Sequence, residues 1–187
     1  HYDCEPLPEQ KVKAGVNDLT GRIGYKPDVS DEEIARGNFS TGESGWDFNP
    51  RMRHETYKYA PADLNSLLYS QEDMLAYFAK ELGLQGEAKV WEEKRDHRAE
   101  LMRKYLKNEN GVFFDYNLEK QELGEVASVA AFYPLYVGMA TPEEAKAALT
   151  ILPRIEMEYG VASCEQCDHI EGNFQWGYPN GWPPMQR

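Results

Sequence analysis

The stretch STGESGWDFNPRMRH, Ser40 to His54, sets one carboxylate, Asp47, between Trp46 and Phe48, with Gly42 and Gly45 just before. A carboxyl group walled by aromatic rings loses solvation and keeps its proton more easily, which is what a general acid at neutral pH requires. Rings beside a carboxyl also suit a sugar, since they stack on the apolar faces of pyranoses. The same residues admit a structural reading, in which Trp46 and Phe48 belong to the core and Asp47 caps a helix. A second aromatic stretch, QWGYPNGWPPMQR (Gln175 to Arg187), frames an Asn-Gly turn with Trp176 and Trp182, each suited to sugar contact or to packing. A third, CEQCDH (Cys164 to His169), looks like half a zinc site, because two thiolates and an imidazole can all ligate the ion. The remaining cysteine is the distant Cys4 and the other histidines are scattered, so a plain loop is the expectation. No metal and no cofactor is expected. The sequon NFS at Asn38 to Ser40 carries little weight, because such triplets arise often by chance.

The elements that position these residues follow from periodicity. Residues 1–60 read as irregular, interrupted by Pro6, Pro8, Gly15, Gly21, Gly24 and Pro27, with at most a two-turn helix capped by Ser30. From Asp63 onward Leu64, Leu67, Leu68, Met74, Leu75, Phe78 and Leu82 recur at helical spacing, predicting a helix buried by a wide apolar stripe and ended by Gly83. A second helix spans Leu84 to Leu106, its charged middle facing water. Asn110-Gly111 marks a turn before an extended Val112–Tyr116. EVASVAAFYPLYVGM (Glu125 to Met139) is apolar all round and predicts an interior helix kinked at Pro134. Thr141, Pro142 and Glu144 form a helix start with a capping box. After Pro153 the chain returns to loop.

Composition narrows the partners. The 187 residues carry a net charge of -12, which argues against nucleic acid and against anionic membrane surfaces. No apolar run is long enough for a transmembrane helix. The N-terminal residues show no charged-then-apolar leader pattern, and the sequence opens at His1 rather than Met, which leaves the compartment unassigned. A small neutral ligand suits this balance.

Five stretches, in order, resemble the trehalases of glycoside hydrolase family 37. ESGWDFNPR (Glu43–Arg51) is similar to that family's ESGWDFSSRW, and PADLNSLLY (Pro61–Tyr69) to PVDLNSLMF. KYLKNENGVFFDYNLEKQ (Lys104–Gln121) follows KYLWN…GWYxDYDL, and VAAFYPLYVG (Val129–Gly138) follows AALFPLYV. QWGYPNGWPPMQ (Gln175–Gln186) is close to the signature QWDxPNGWAPLQ. The resemblance implies an all-α fold, part of an (α/α)6 toroid with long loops on the active-site face, and inverting hydrolysis of α,α-trehalose to glucose. It makes residues 1–187 a single incomplete glycosidase domain: 1–60 loop-rich and carrying the acid, 61–153 helical hairpins, 154–187 an active-site loop.

Carried over by position, Asp47 matches the family's general acid and Gly45 a residue whose backbone contacts substrate. Glu9, in PLPEQ, falls where the family has a sugar-binding Glu in an R-P-E triplet. Trp46, Trp176, Asn180 and Trp182 complete the candidate substrate-binding set. Two positions depart from the pattern: Leu7 replaces the triplet's Arg, and Gly177 replaces the Asp of QWD. Each lost hydrogen-bond partner weakens recognition by roughly 1–3 kcal/mol, which opens the alternatives of a related α-glucosidase on another glucoside (family 63 shares a similar ESGxD segment) or a non-catalytic sugar-binding fragment. Inversion needs a second carboxylate about 6.5–9.5 Å from the acid. The family's base lies downstream of QWDxPNGW, and none of Glu5, Asp63, Asp115 or Glu171 occupies its position. The remainder of the same catalytic domain is therefore an expected partner of this chain.

Overall fold

The computed structural model describes residues 6–170, 172 and 174–179. The chain is mostly helical and clusters into two compact units, His1–Tyr59 with Arg154–Arg187, and Ala60–Pro153.

In the first unit, residues expected to be irregular form two helices. α1 (Glu9–Ile23) starts after Pro8 and ends at Gly24, whose φ of 84° lets its N–H reach the Thr20 carbonyl at 3.0 Å. α2 (Asp31–Ser44) starts on a full capping box, in which Ser30 Oγ accepts from the Glu33 N–H at 3.3 Å and Glu33 Oε2 from the Ser30 N–H at 3.2 Å. The glycines that suggest loop serve close approach instead. A Cβ on Gly15 would stand 2.8 Å from Ala35, and one on Gly37 would stand 2.2 Å from the His54 carbonyl oxygen. Leu19, Ile23, Ile34 and Phe48 form the apolar centre between the two helices. The sequon's Asn38 is buried in α2, with its amide donating to Asp18 at 3.2 Å.

In the second unit, α3 (Ala62–Glu81) and α4 (Gln85–Tyr105) form a hairpin around Gly83, whose φ is 75°. α3 turns a face of small residues to the interior. Ala62 packs in one cluster with Ala99, Met102, Leu106, Phe113 and Met139, and Ser66, Ala76 and Ala79 are buried with it. The predicted burial of the leucine stripe is not found: Leu64, Leu67, Met74, Leu75, Phe78 and Leu82 are 41–74% exposed. Small side chains let two helix backbones approach closely, so the alanine face makes the contact and the bulky face is left open. The charged middle of α4 reaches across to α3. Arg98 grips Glu72 with two bonds of 2.8 and 2.7 Å, Arg95 meets Asp73 at 2.6 Å, and Lys80 pairs with Glu92.

After α4, Asn108 Oδ1 accepts from the N–H groups of Asn110 and Val112, closing the predicted Asn-Gly turn with Gly111 at φ 85°. The strands β1 (Tyr59–Ala60), β2 (Tyr116–Asn117) and β3 (Glu122–Leu123) form a sheet in that order, with β2 and β3 antiparallel in the register Tyr116↔Leu123. Asp115 Oδ1 caps α3 by accepting the Ala62 N–H at 3.0 Å.

The apolar run at 125–139 is buried as expected but is no long helix. A 3-10 turn (Val129–Phe132) capped by Ser128 feeds a one-turn α5 (Tyr133–Tyr136), which stops at Gly138 with φ 73°. Pro134 stands at the start of that α-turn, where its missing N–H costs nothing, so it begins the segment rather than kinking it. α6 (Pro142–Leu149) starts as predicted on the Thr141–Glu144 box. Glu144 also takes bonds of 2.9 Å from Arg103 and from Lys107 of the segment after α4. Beyond it lie the single turn α7 (Leu152–Ile155) and the hairpin β4 (Glu156–Met157) with β5 (Gly160–Val161).

Candidate active site

The segment carrying Asp47 is built by the end of α2. Gly45 takes the left-handed conformation, φ 73°, and turns the chain off the helix axis. Ser44 Oγ accepts the Trp46 N–H at 3.1 Å, and the Trp46 carbonyl accepts the Asn49 N–H at 2.8 Å. Asp47 and Phe48 thus occupy the corner of a tight turn. Phe48 has φ 53°, costly for a residue with a Cβ, and the burial of its ring in the α1–α2 core offsets that cost.

Both aromatic neighbours are core residues, Trp46 3% and Phe48 5% exposed. The Arg51 guanidinium lies 4.1 Å from the Trp46 ring centroid, and that of Arg22 lies 5.1 Å from the Phe48 ring. The half-buried Asp47 between them makes no hydrogen bond or ion pair among the described residues. The structural reading therefore holds for the rings, while the carboxylate itself caps nothing: the cap role two residues on belongs to Asn49, whose Oδ1 accepts the Arg51 N–H at 3.0 Å.

Asn49 is also the hinge pin to the closing segment. Its amide donates to the Trp176 carbonyl at 2.7 Å, and Ser163 Oγ donates to the same oxygen at 2.7 Å. Asn49 and Ser163 are both buried, so these bonds are shielded from competing water. Arg22 adds a 3.2 Å bond to the Gln175 side chain. Gly177 is buried against the acid-bearing segment, and a Cβ there would meet Phe174 Cβ at 3.2 Å and Pro50 Cδ at 3.5 Å.

His54 completes this packing. Its ring stacks on Phe174 with centroids 4.8 Å apart and planes 15° apart, and tilts against Phe48 at 5.5 Å. Neither ring nitrogen has a hydrogen-bond partner among the described residues, and burial pushes the imidazole down to about 4. Arg53 and His54 are both left-handed, φ 47° and 62°, which bends the chain back toward Gly37.

Of the residues singled out from sequence, Trp46 and Trp176 are linked through Asn49, which bonds the backbone carbonyl of each, and Asp47 lies in the turn next to Trp46. Gly45 forms the bend before them, and Glu9 is the exposed first residue of α1. Asn180 and Trp182 lie outside the described residues. Asn49 and Ser163 were not legible as a pair, although Asn-Pro at 49–50 is itself a helix-start signal. Among the described residues no three His, Cys, Asp or Glu side chains gather as metal ligands, and no helix is long and apolar enough to cross a membrane.

Known proteins share this fold. The profile of the Trehalase family matches residues 29–187. Neutral trehalase Nth1 from Saccharomyces cerevisiae superposes with a TM-score of 0.67 at 27% identity, over 95% of this chain and 38% of that one. A chain described as a sialidase matches with a TM-score of 0.53 at 19% identity, over 57% of this chain and 10% of that one, a likeness of fold alone. The chain thus spans little over a third of the yeast enzyme's length. With the helical fold matching part of the trehalase (α/α)6 toroid and the family profile running from before α2 through the closing segment, this chain is a member of the trehalase family.

Proposed function

We propose that this chain is the acid-bearing part of an inverting trehalase that hydrolyses α,α-trehalose to glucose, with Asp47 as general acid. The observation that carries the reading is Asp47 itself: a half-buried carboxyl at the corner of a turn, its neighbours anchored as core, its own oxygens engaged by no charge among the described residues. Such a group is positioned but not consumed by structure. In the proposed step its proton passes to the glycosidic oxygen as the bond to the anomeric carbon breaks. A water activated by a second carboxylate attacks from the opposite face. That base, and the helices that cover the open face of α3, belong to the remainder of the catalytic domain. Glu9, the Gly45 backbone, Trp176, Asn180 and Trp182 are the proposed sugar contacts, whereas Trp46, a sequence candidate, is buried at 3% exposure under Arg51 and supports the segment as core. The substrate class is a small disaccharide, with no nucleic acid or membrane partner and no cofactor.

The test is Asp47→Asn in the full-length protein, read as glucose release from trehalose beside a thermal melt. We expect turnover to fall by about 10²–10⁴-fold with the melt unchanged. A loss below about tenfold in a folded variant overturns the assignment.

Gly177 favours a second reading, a related α-glucosidase acting on another glucoside. The position is filled by backbone packed against Phe174 and Pro50, so no side chain there reaches a sugar hydroxyl. Comparing trehalose with other α-linked glucosides separates the two, since the preferred substrate has the highest kcat/KM. Binding of trehalose without release of glucose by the full-length protein selects the non-catalytic reading instead.

A further inference from the structure

The side chain of Asn49 is engaged in two directions at once. Its Oδ1 accepts the Arg51 N–H at 3.0 Å, which fixes the plane of the amide, and its Nδ2 then donates to the Trp176 carbonyl 2.7 Å away. Its backbone N–H closes the turn onto the Trp46 carbonyl at 2.8 Å, with Asp47 and Phe48 inside that turn. The Trp176 oxygen takes a second bond of 2.7 Å from Ser163 Oγ, so both of its lone-pair positions are filled. Ser163 is a firm anchor: Ala162, Ser163 and Cys164 are all 0% exposed, and the Ala162 N–H donates to the Ile155 carbonyl at 2.8 Å. Asn49 is itself 3% exposed, so water has little access to replace these bonds when one is removed.

We propose that Asn49 is a positioning residue for the hydrolysis: with Ser163 it fixes the closing segment at Trp176 to the turn that carries Asp47, so that acid and sugar contact meet the substrate in one register. The inference rests on the reading of Asp47 as general acid. Proton transfer needs the carboxyl within hydrogen-bond reach of the glycosidic oxygen, about 2.6–3.2 Å. A misplacement of about 1 Å at that point costs on the order of 100-fold in rate. A turn closed by one backbone bond, with Phe48 strained at φ 53°, is too soft to hold that tolerance alone. The clamp ties it to a carbonyl 127 residues further along the chain, which turns a local bend into a fixed point of the site. Buried as they are, Asn49 and Ser163 do not reach a substrate; they act through the Trp176 backbone.

The experiment uses the full-length protein and two substrates, trehalose and α-glucosyl fluoride, whose fluoride departs with little need of a proton. Asn49→Ser keeps a hydroxyl to accept the Arg51 N–H but is too short to hold the Trp176 carbonyl, and Ser163→Ala removes the other donor. Each single variant leaves one bond on that oxygen and should lower kcat on trehalose by about 3–10-fold. The double variant should lower it by about 10–100-fold, with kcat on the fluoride changed by less than about threefold. Asp47→Asn, run beside them, should show the same preference for the fluoride. Equal losses on both substrates would make the clamp a structural bond only and overturn the proposal. Trehalose turnover within about twofold of wild type in the double variant overturns it as well, and with Asp47→Asn inactive in the same assay the reading of Asp47 survives. Absence of trehalose turnover in the wild type, or its persistence in Asp47→Asn, sinks both together. If the double variant does not fold, the single variants decide by the same contrast between substrates.

Discussion

At the scale of single residues, the site is held by buried polar groups whose satisfaction is uneven. Asn49 and Ser163 are fully engaged on the Trp176 carbonyl, while the His54 ring is stacked yet unbonded among the described residues. This makes acid sensitivity readable. The unfolded His54 titrates near its ordinary value of 6.5 and the folded one at about 4, so between those values the unfolded chain binds more protons. Stability is unaffected above 6.5, falls as the pH drops from 6.5 to 4, and levels off below, a loss of about 3 kcal/mol at most. Glu144 acts lower: burial raises its carboxyl, but Arg103, the Thr141 N–H and Lys107 outweigh that and bring it to about 2. Its contribution is present above 4.5 and lost as the pH falls from 4.5 to 2. Denaturant midpoints taken across pH should therefore show two windows. His54→Asn, which tolerates the left-handed backbone and does not titrate, should flatten the upper one and leave the lower. Equal slopes for both proteins between pH 6.5 and 4.5 would remove His54 from the account.

At the scale of elements, glycine is the residue whose meaning depends on what faces it. Gly15 and Gly21 both lie in α1, six residues apart, yet a Cβ on Gly15 collides with Ala35 while one on Gly21 meets nothing within 4 Å. Gly15→Ala should force α1 from α2 and destabilise by about 1–3 kcal/mol. Gly21→Ala should stabilise by about 0.5–1 kcal/mol, since alanine is the better helix former. Urea titration of the two variants checks the sign of each, and a shared sign would refute the close-approach explanation. The same contrast explains what was legible in the sequence. Local chemistry was: the Ser30 start, the Thr141–Glu144 box, the Gly83 stop, the Asn108–Gly111 turn and the α4 span all follow from residues within a few positions. What depended on a partner was not. The glycines of α1 and α2 mimic loop until the opposing helix is known, Pro134 gives no sign whether it kinks or begins a helix, and the Asn49–Ser163 bond to Trp176 joins residues 114 and more apart. Asp47 was legible as a candidate because its type and neighbours carry the chemistry, whereas the turn that presents it needed Phe48 at positive φ.

At the scale of the molecule, α3 shows which interactions the 187 residues leave unmade. Its alanine face is used and its bulky face is not: Leu64, Leu67, Met74, Leu75, Phe78 and Leu82 lie at the three- and four-residue spacing that lines up one side of a helix, each at least 41% exposed. Exposed apolar side chains scattered singly are ordinary, but a continuous stripe along a helix of 20 residues is a contact surface. Each such side chain, when covered, contributes about 1.5–3 kcal/mol if fully buried, so part of that free energy is open to any partner that fits. In the full-length protein the proposed cover is further helix of the same domain. For the isolated 187-residue chain it is a second copy, so sedimentation velocity should show mass rising with concentration. Leu67→Glu with Phe78→Glu places two charges in the stripe without touching Ala62, Ala76 or Ala79, and should return the chain to monomer with its circular dichroism intact. A wild-type chain that stays monomeric at high concentration would mean that the leucine face of α3 is not sticky enough to need the proposed cover.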